Sequence, residues 1–139
     1  MISLIEINNA RESKSEPLPG TLYLVGTPIG NLGDLSPRAK SILKNVSLIA
    51  CEDTRRSGQL LKRIDAKTPL LSYHKHNIKS RAPQLLKILE ENGSVALISD
   101  AGLPGISDPG EELVQSARSK KHKVVCIPGA CAATTALVI

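Results

Sequence analysis

Five short runs punctuate the chain, Leu22–Val25, Leu48–Cys51, Leu70–Tyr73, Val95–Ile98 and Val124–Ile127, apolar throughout except for Ser72 in the third. Each is followed at once by polar, Gly- or Pro-containing sequence, which suits a short buried strand better than a helix. Between the runs the period changes. Ala39, Ile42, Leu43 and Val46 recur at helical spacing behind Ser36-Pro37, a Ser N-cap with Pro at the first helical position. Leu60, Leu61 and Ile64 mark a short helix. Ala82, Leu85, Leu86 and Leu89 mark a longer one that closes on Asn92-Gly93 in the manner of a C-cap. Leu113, Val114 and Ala117 mark another, and residues 130–139, small and uncharged, read as the opening of one more.

Strands alternating with helices, with the strands apolar on both faces, predict an α/β fold: a parallel sheet with helices packed on each side. All strand ends in such a sheet point one way, so the five polar turns lie along one edge, where open α/β sheets bind ligands. Residues 1–19 close on Pro17-Leu18-Pro19-Gly20 and are predicted to be a flexible N-terminal extension; residues 20–139 form the domain. The uncapped apolar finish, Ala-Leu-Val-Ile, predicts an N-terminal portion of a longer polypeptide, without its C-terminal domain.

Composition narrows the partners. The 139 residues contain no Phe or Trp and only Tyr23 and Tyr73, so the core is aliphatic and a base-stacking aromatic platform is disfavoured. The net charge of +5 is uneven: residues 38–87 carry twelve Lys/Arg against Glu52, Asp53 and Asp65. Such a basic half suggests an anionic partner, nucleic acid first, although two solvated helix faces would look the same. Cys51, Cys126 and Cys131 form no Cys-x-x-Cys pair; Cys51 and Cys126 sit in apolar runs, as small hydrophobes do. No metal site is expected. With no signal-peptide pattern and no apolar run near the roughly 18 residues of a membrane span, a reducing cytoplasm is predicted, with no membrane partner.

Familiar nucleotide fingerprints fail. Gly26, Gly30 and Gly33 are not G-x-G-x-x-G, and neither a P-loop nor a nucleophile elbow occurs. What remains is the stiff turn from Ser99 to Gly110. Its Asp108-Pro109-Gly110-Glu111 has a structural explanation as a capping box. Asp100-Ala101-Gly102 and Pro104-Gly105 have none, and glycines there let a ligand approach the main chain. Glu52-Asp53-Thr54-Arg55 places two carboxylates, a hydroxyl and a guanidinium straight after a strand; capping accounts for one of the four. His74 and His76 around Lys75 are a proton relay, phosphate contacts or simply a surface turn.

The sequences Val25-Gly26-Thr27-Pro28-Ile29-Gly30-Asn31-Leu32, Glu52-Asp53-Thr54-Arg55, Ser99-Asp100-Ala101-Gly102 with Pro104 to Gly110, and Pro128-Gly129 occur in order. Together they resemble the N-terminal domain of the tetrapyrrole methylase superfamily, within it the branch acting on small-subunit ribosomal RNA; Glu-Asp-Thr-Arg separates that branch from the porphyrin and corrin methylases. The resemblance covers about residues 20–139. It implies an S-adenosylmethionine-dependent enzyme that methylates a cytidine ribose 2′-hydroxyl of small-subunit (16S) ribosomal RNA, built of two α/β domains with the cofactor between them and acting as a homodimer. Asp100, Ala101, Gly102, Pro104, Gly105, Ile106, Ser107, Pro128 and Gly129 would line the cofactor pocket. Gly26, Thr27, Pro28, Gly30, Asn31, Thr54, Arg56 and His74 would face the RNA. Glu52, Asp53 and Arg55 would carry the chemistry, the carboxylates orienting or deprotonating the hydroxyl and the arginines holding phosphates. Two departures stand out: Leu103 where the family has Thr, and Ala130-Cys131 where Pro then Ser or Cys follows Pro-Gly. The alternatives are a porphyrin- or corrin-type small-molecule methyltransferase and a non-catalytic anion- or RNA-binding fragment.

Overall fold

The computed structural model describes residues 15–104 and 110–139. Its sheet is wholly parallel and contains β1 (Thr21–Val25), β2 (Leu48–Cys51), β3 (Leu70–Ser72), β4 (Ser94–Ile98) and β5 (Lys123–Ile127), in the order β3-β2-β4-β1-β5. Five helices join or follow the strands: α1 (Pro37–Asn45), α2 (Thr54–Arg63), α3 (Ile78–Glu90), α4 (Gly110–Ser119) and α5 (Ala132–Val138).

Alternation along each strand divides the core into two layers. Tyr23, Val25, Ile49, Cys51, Ala96 and Ile98 point to one face, where Ala39, Ile42 and Leu43 of α1 and Leu61 of α2 cover them. Leu22, Ala50, Val95 and Leu97 point to the other, against Leu85 and Leu89 of α3 and Leu113 and Ala117 of α4. All five residues of β4 are buried, as a period-2 strand between two helical layers must be.

Local signals explain the helix ends. Ser36 caps α1, its hydroxyl accepting from the Ala39 N–H at 3.1 Å, with Pro37 at the first position. At the end of α3 the left-handed residue is Asn92 (φ 63°) rather than Gly93, whose N–H donates to Ile88 O at 2.8 Å. Gly93 is needed for room instead: a Cβ there would lie 2.6 Å from Ile88 Cγ2.

One expectation needs correction. Cys126 is exposed on edge strand β5, not packed as a small hydrophobe, because the outermost strand has no neighbour on its far side. Residues 15–19, the described end of the N-terminal segment, make contacts with the domain. Arg38 donates two hydrogen bonds of 2.8 Å to the Glu16 carboxylate, and the Leu18 N–H donates to the Tyr23 hydroxyl oxygen at 2.8 Å. The Arg38 hydrogen bonds hold the Glu16 carboxyl below the usual carboxylate range. That stabilisation is present above the ordinary carboxylate pKa and is lost as pH falls through the lowered value. Glu16→Gln is therefore expected to cost about 0.5 kcal/mol near neutrality, discounted for the half-exposed guanidinium, and nothing near pH 2; urea unfolding at the two pH values checks it.

Candidate functional site

The connections fix where a crevice opens. β1 is followed by α1 on one face and leads away toward β2, whereas β4 is followed by α4 on the opposite face and leads toward β5. The carboxyl ends of β1 and β4, neighbours in the sheet, are thus the topological switch point.

The two turns leaving that point are bonded to each other. The Thr27 N–H donates to Gly102 O and the Gly102 N–H to Thr27 O, each at 3.0 Å, an antiparallel bridge between loops. The buried Thr27 hydroxyl reaches Ser99 O at 3.3 Å, and the Ser99 hydroxyl donates to Ala101 O at 3.0 Å. Gly102 sits at φ 85°, and a Cβ there would lie 3.2 Å from Ala130 O and 3.3 Å from Ile29 Cδ1. On the other side of β1, Gly26 meets Gly129 backbone to backbone: a Cβ on Gly26 would stand 2.7 Å from Gly129 Cα. The turns after β1, β4 and β5 therefore form one rim.

Two cavities of about 250 Å³ open on this rim. The first is polar, lined by Thr27, Pro28, Gly30, Asn31, Arg56 and Asp100, with Gln59, Leu60 and Arg63 of α2. The second is apolar and small-walled: Ile29, Ala101, Gly102, Leu103, Cys131, Ala132 and Ala133. Consecutive residues of both loops divide between them, Pro28 and Asp100 facing the first, Ile29 and Ala101 the second. The loop leaving β1 is their common wall, stiffened where the Asn31 side chain accepts from the Gly33 N–H at 2.8 Å.

The predicted residues distribute unevenly over this frame. Thr27, Pro28, Gly30, Asn31 and Arg56 come together in the polar chamber, joined by Asp100, which was expected on the cofactor side. Ala101 and Gly102 line the apolar chamber. Pro104 is buried, and Pro128 is exposed beside Gly129 at the end of β5. Gly105, Ile106, Ser107 and Asp108 lie outside the described residues.

Asp53 is the N-cap of α2, its carboxylate accepting from the Arg55 N–H at 2.9 Å. Glu52, Thr54 and Arg55 are exposed and line neither chamber. His74 stands in the turn after the outer strand β3, where its N–H donates to Asn77 Oδ1 at 2.8 Å and its ring accepts from the His76 N–H at 3.2 Å. It too lines neither chamber; His76 borders a separate hollow with Lys75, Lys79 and Glu112.

Gln59 and Arg63 escaped the sequence reading, which attended to turns. They follow Arg56 by three and seven positions, and that spacing puts all three on one helix face.

The thiols differ by environment. Burial pushes Cys51 up, so it stays a neutral core group below the rim. Hydrogen bonding from Thr134 draws the Cys131 thiol below its usual value. Among the described residues no group of His, Cys, Asp and Glu is placed to hold a metal ion, and no helix is long and apolar enough to cross a membrane.

Comparison with known proteins places these features. The family profile described as Tetrapyrrole (Corrin/Porphyrin) Methylases matches residues 21–139. A protein of Synechocystis sp. named ribosomal RNA small subunit methyltransferase I is 53% identical over 119 residues, covering 86% of this chain and 43% of that protein. Proteins of the same name from Streptococcus pyogenes serotype M3 and Pasteurella multocida are 49% and 53% identical, covering 90% and 86% of this chain and 44% and 43% of theirs. The chain thus spans less than half the length of these curated relatives. Among solved structures, the uroporphyrin-III-C-methyltransferase of Thermus thermophilus superposes with a TM-score of 0.66 at 24% identity, over 86% of this chain and 50% of that one. At that identity the likeness speaks for the fold alone.

Proposed function

This chain belongs to the tetrapyrrole (corrin/porphyrin) methylase family, and on that premise we propose that it forms part of an S-adenosylmethionine-dependent enzyme that methylates a cytidine ribose 2′-hydroxyl in small-subunit ribosomal RNA. The observation that carries the reading is the pair of chambers sharing the loop after β1, one apolar and one lined by two arginines. Relatives named for small-subunit ribosomal RNA methylation, at about half identity, support the substrate.

The apolar chamber fits the methyl donor. Gly102, Ala101, Ala132 and Ala133 leave the main chain open to close approach, and a Cβ at Gly102 would crowd Ile29 of the chamber wall and Ala130 O. Leu103, in place of the family's Thr, makes this wall more apolar. At about 250 Å³ the chamber is smaller than the roughly 300–1,000 Å³ of a complete ligand pocket, in keeping with a donor site shared with a second domain. The bound donor supplies a sulfonium methyl group, transferred by in-line displacement.

The chain's residues position the acceptor, which is where most of the acceleration in such a step resides. Arg56 holds a flanking phosphate, to which a guanidinium forms bidentate contacts. Asn31, Pro28 and the Thr27–Gly102 bridge fix the wall between acceptor and donor. The ribose hydroxyl needs its proton accepted; Glu52, exposed at the tip of β2 outside both chambers, is the first carboxylate to test for that role, and Asp100, inside the polar chamber, is the second. Asp53, engaged in capping α2, is a positioning residue that sets the helix carrying Arg56. A homodimer and a cytoplasmic setting complete the reading on the strength of the resemblance; light scattering of the full-length protein tests the first.

Calorimetry with S-adenosylmethionine, followed by transfer of a labelled methyl group to small-subunit ribosomal RNA, tests the whole. Heat of binding and label recovered on a cytidine 2′-oxygen are the expected results. Label on a porphyrin or corrin substrate instead, or RNA binding without any donor heat, would replace this reading with one of its alternatives.

A further inference from the structure

The α2 face bordering the polar chamber carries charges that folding does not account for. Arg56 is in the first turn of α2, where a cation opposes the helix dipole; the Asp53 carboxylate that caps this end is engaged with the Arg55 N–H, and the first turn itself holds no acidic residue. Arg63, in the last turn, suits the dipole, but Lys62 beside it would meet that need alone. Among the described residues the ion pairs are Arg38–Glu16, Lys87–Glu91 and Lys120–Glu90, so neither Arg56 nor Arg63 has a carboxylate partner. Both nevertheless line a concave space with one carboxylate, Asp100, and the neutral donors Asn31 and Gln59. The chamber is therefore cationic, polar and open to a ligand from outside.

Its spacing selects among anions. Seven helical positions separate the two arginines, on the order of 10 Å along the axis, too far to serve one phosphate oxygen pair and suited to separate phosphates of a strand. With no aromatic side chain in the lining, stacking of bases on rings contributes nothing, and contacts to the phosphate backbone lead.

We propose that Arg56, Gln59 and Arg63 form a phosphodiester-binding groove for the single-stranded RNA next to the target ribose, Arg63 holding a phosphate distinct from that held by Arg56. The inference rests on the RNA reading above and adds Arg63 and Gln59 to it. Gln59, between the two cations, donates its amide to the sugar-phosphate chain and keeps the strand in the groove.

The test is equilibrium binding of an in vitro transcribed small-subunit ribosomal RNA fragment to the full-length protein, over a salt series, with S-adenosylmethionine affinity measured in parallel. Arg63→Gln is expected to weaken RNA binding about tenfold at low salt and to lower the slope of log K against log salt by about 0.7, one single-strand phosphate contact. Donor affinity should not change. Arg63→Lys should restore the slope but only part of the affinity, since an ammonium lacks the planar fork. Lys44→Gln, the same charge change on exposed α1, should leave the slope unchanged. An unaltered slope in Arg63→Gln, or an equal change in Lys44→Gln, overturns the groove while leaving the RNA substrate intact. Failure of the unsubstituted protein to bind the RNA overturns the functional reading itself.

Discussion

Gly26→Ala in the full-length protein is expected to weaken S-adenosylmethionine binding by at least a hundredfold and to lower stability by about 1–3 kcal/mol, the usual cost of forcing atoms into a packed site. The new methyl would stand 2.7 Å from Gly129 Cα and 2.9 Å from Gly129 N, and 3.2 Å from Leu103 Cδ2. Two of these atoms are backbone, with no rotamer to escape into. The loops after β1 and β5 must separate, taking with them the Thr27–Gly102 bridge and the wall of the donor chamber. Gly129→Ala meets the same obstacle from the other side, 2.8 Å from Gly26 Cα, and should behave alike. Gly30→Ala is the contrast: its Cβ meets nothing within 4 Å, but φ is 83°, so it should cost about 1 kcal/mol of backbone strain with the donor site intact. Calorimetry and thermal melting distinguish the three. Tight donor binding in Gly26→Ala would mean the rim is not part of the donor site.

The second large effect is expected at Glu52. If its carboxylate accepts the 2′-hydroxyl proton, Glu52→Gln should lower methyl transfer by 10²–10⁴-fold, the range for losing a general base, with donor affinity unchanged. Asp53→Asn supplies the comparison. Asparagine caps as well as aspartate, so stability should hold and activity fall little; Asp53→Ala should lose about 1 kcal/mol with the cap. Single-turnover methyl transfer with a fixed RNA fragment is the measurement. Equal turnover in Glu52→Gln removes it from the mechanism and leaves Asp100, already in the polar chamber, as the carboxylate to test next.

Architecture was far more legible in the chain than the site. β2 is found as read, Leu48–Cys51, because its run is apolar throughout; the first, fourth and fifth strands each begin one residue earlier, at Thr21, Ser94 and Lys123. Those polar residues pair in register with one another, Thr21 with both Ser94 and Lys123, a partnership hydropathy cannot reveal. Cys126 misled for a related reason: an apolar run does not say whether a strand is central or at the edge. The site was legible where loops make it, at Thr27, Asn31, Ala101 and Gly102. It was not legible at Gln59 and Arg63, whose meaning depends on how α2 lies against the first loop. Glycines carried the strongest site signal, yet their reasons diverge: steric contact at Gly26 and Gly129, handedness at Gly30 and Gly102.

One partition with a different residue in each chamber has a thermodynamic corollary. A ligand that displaced Ile29 would also displace its neighbours Pro28 and Asn31, so filling one compartment would change the work of filling the other. Linkage then requires reciprocity: whatever factor the methyl donor imposes on RNA affinity, the RNA returns to the donor. The Thr27–Gly102 pair of main-chain hydrogen bonds stands in that shared wall.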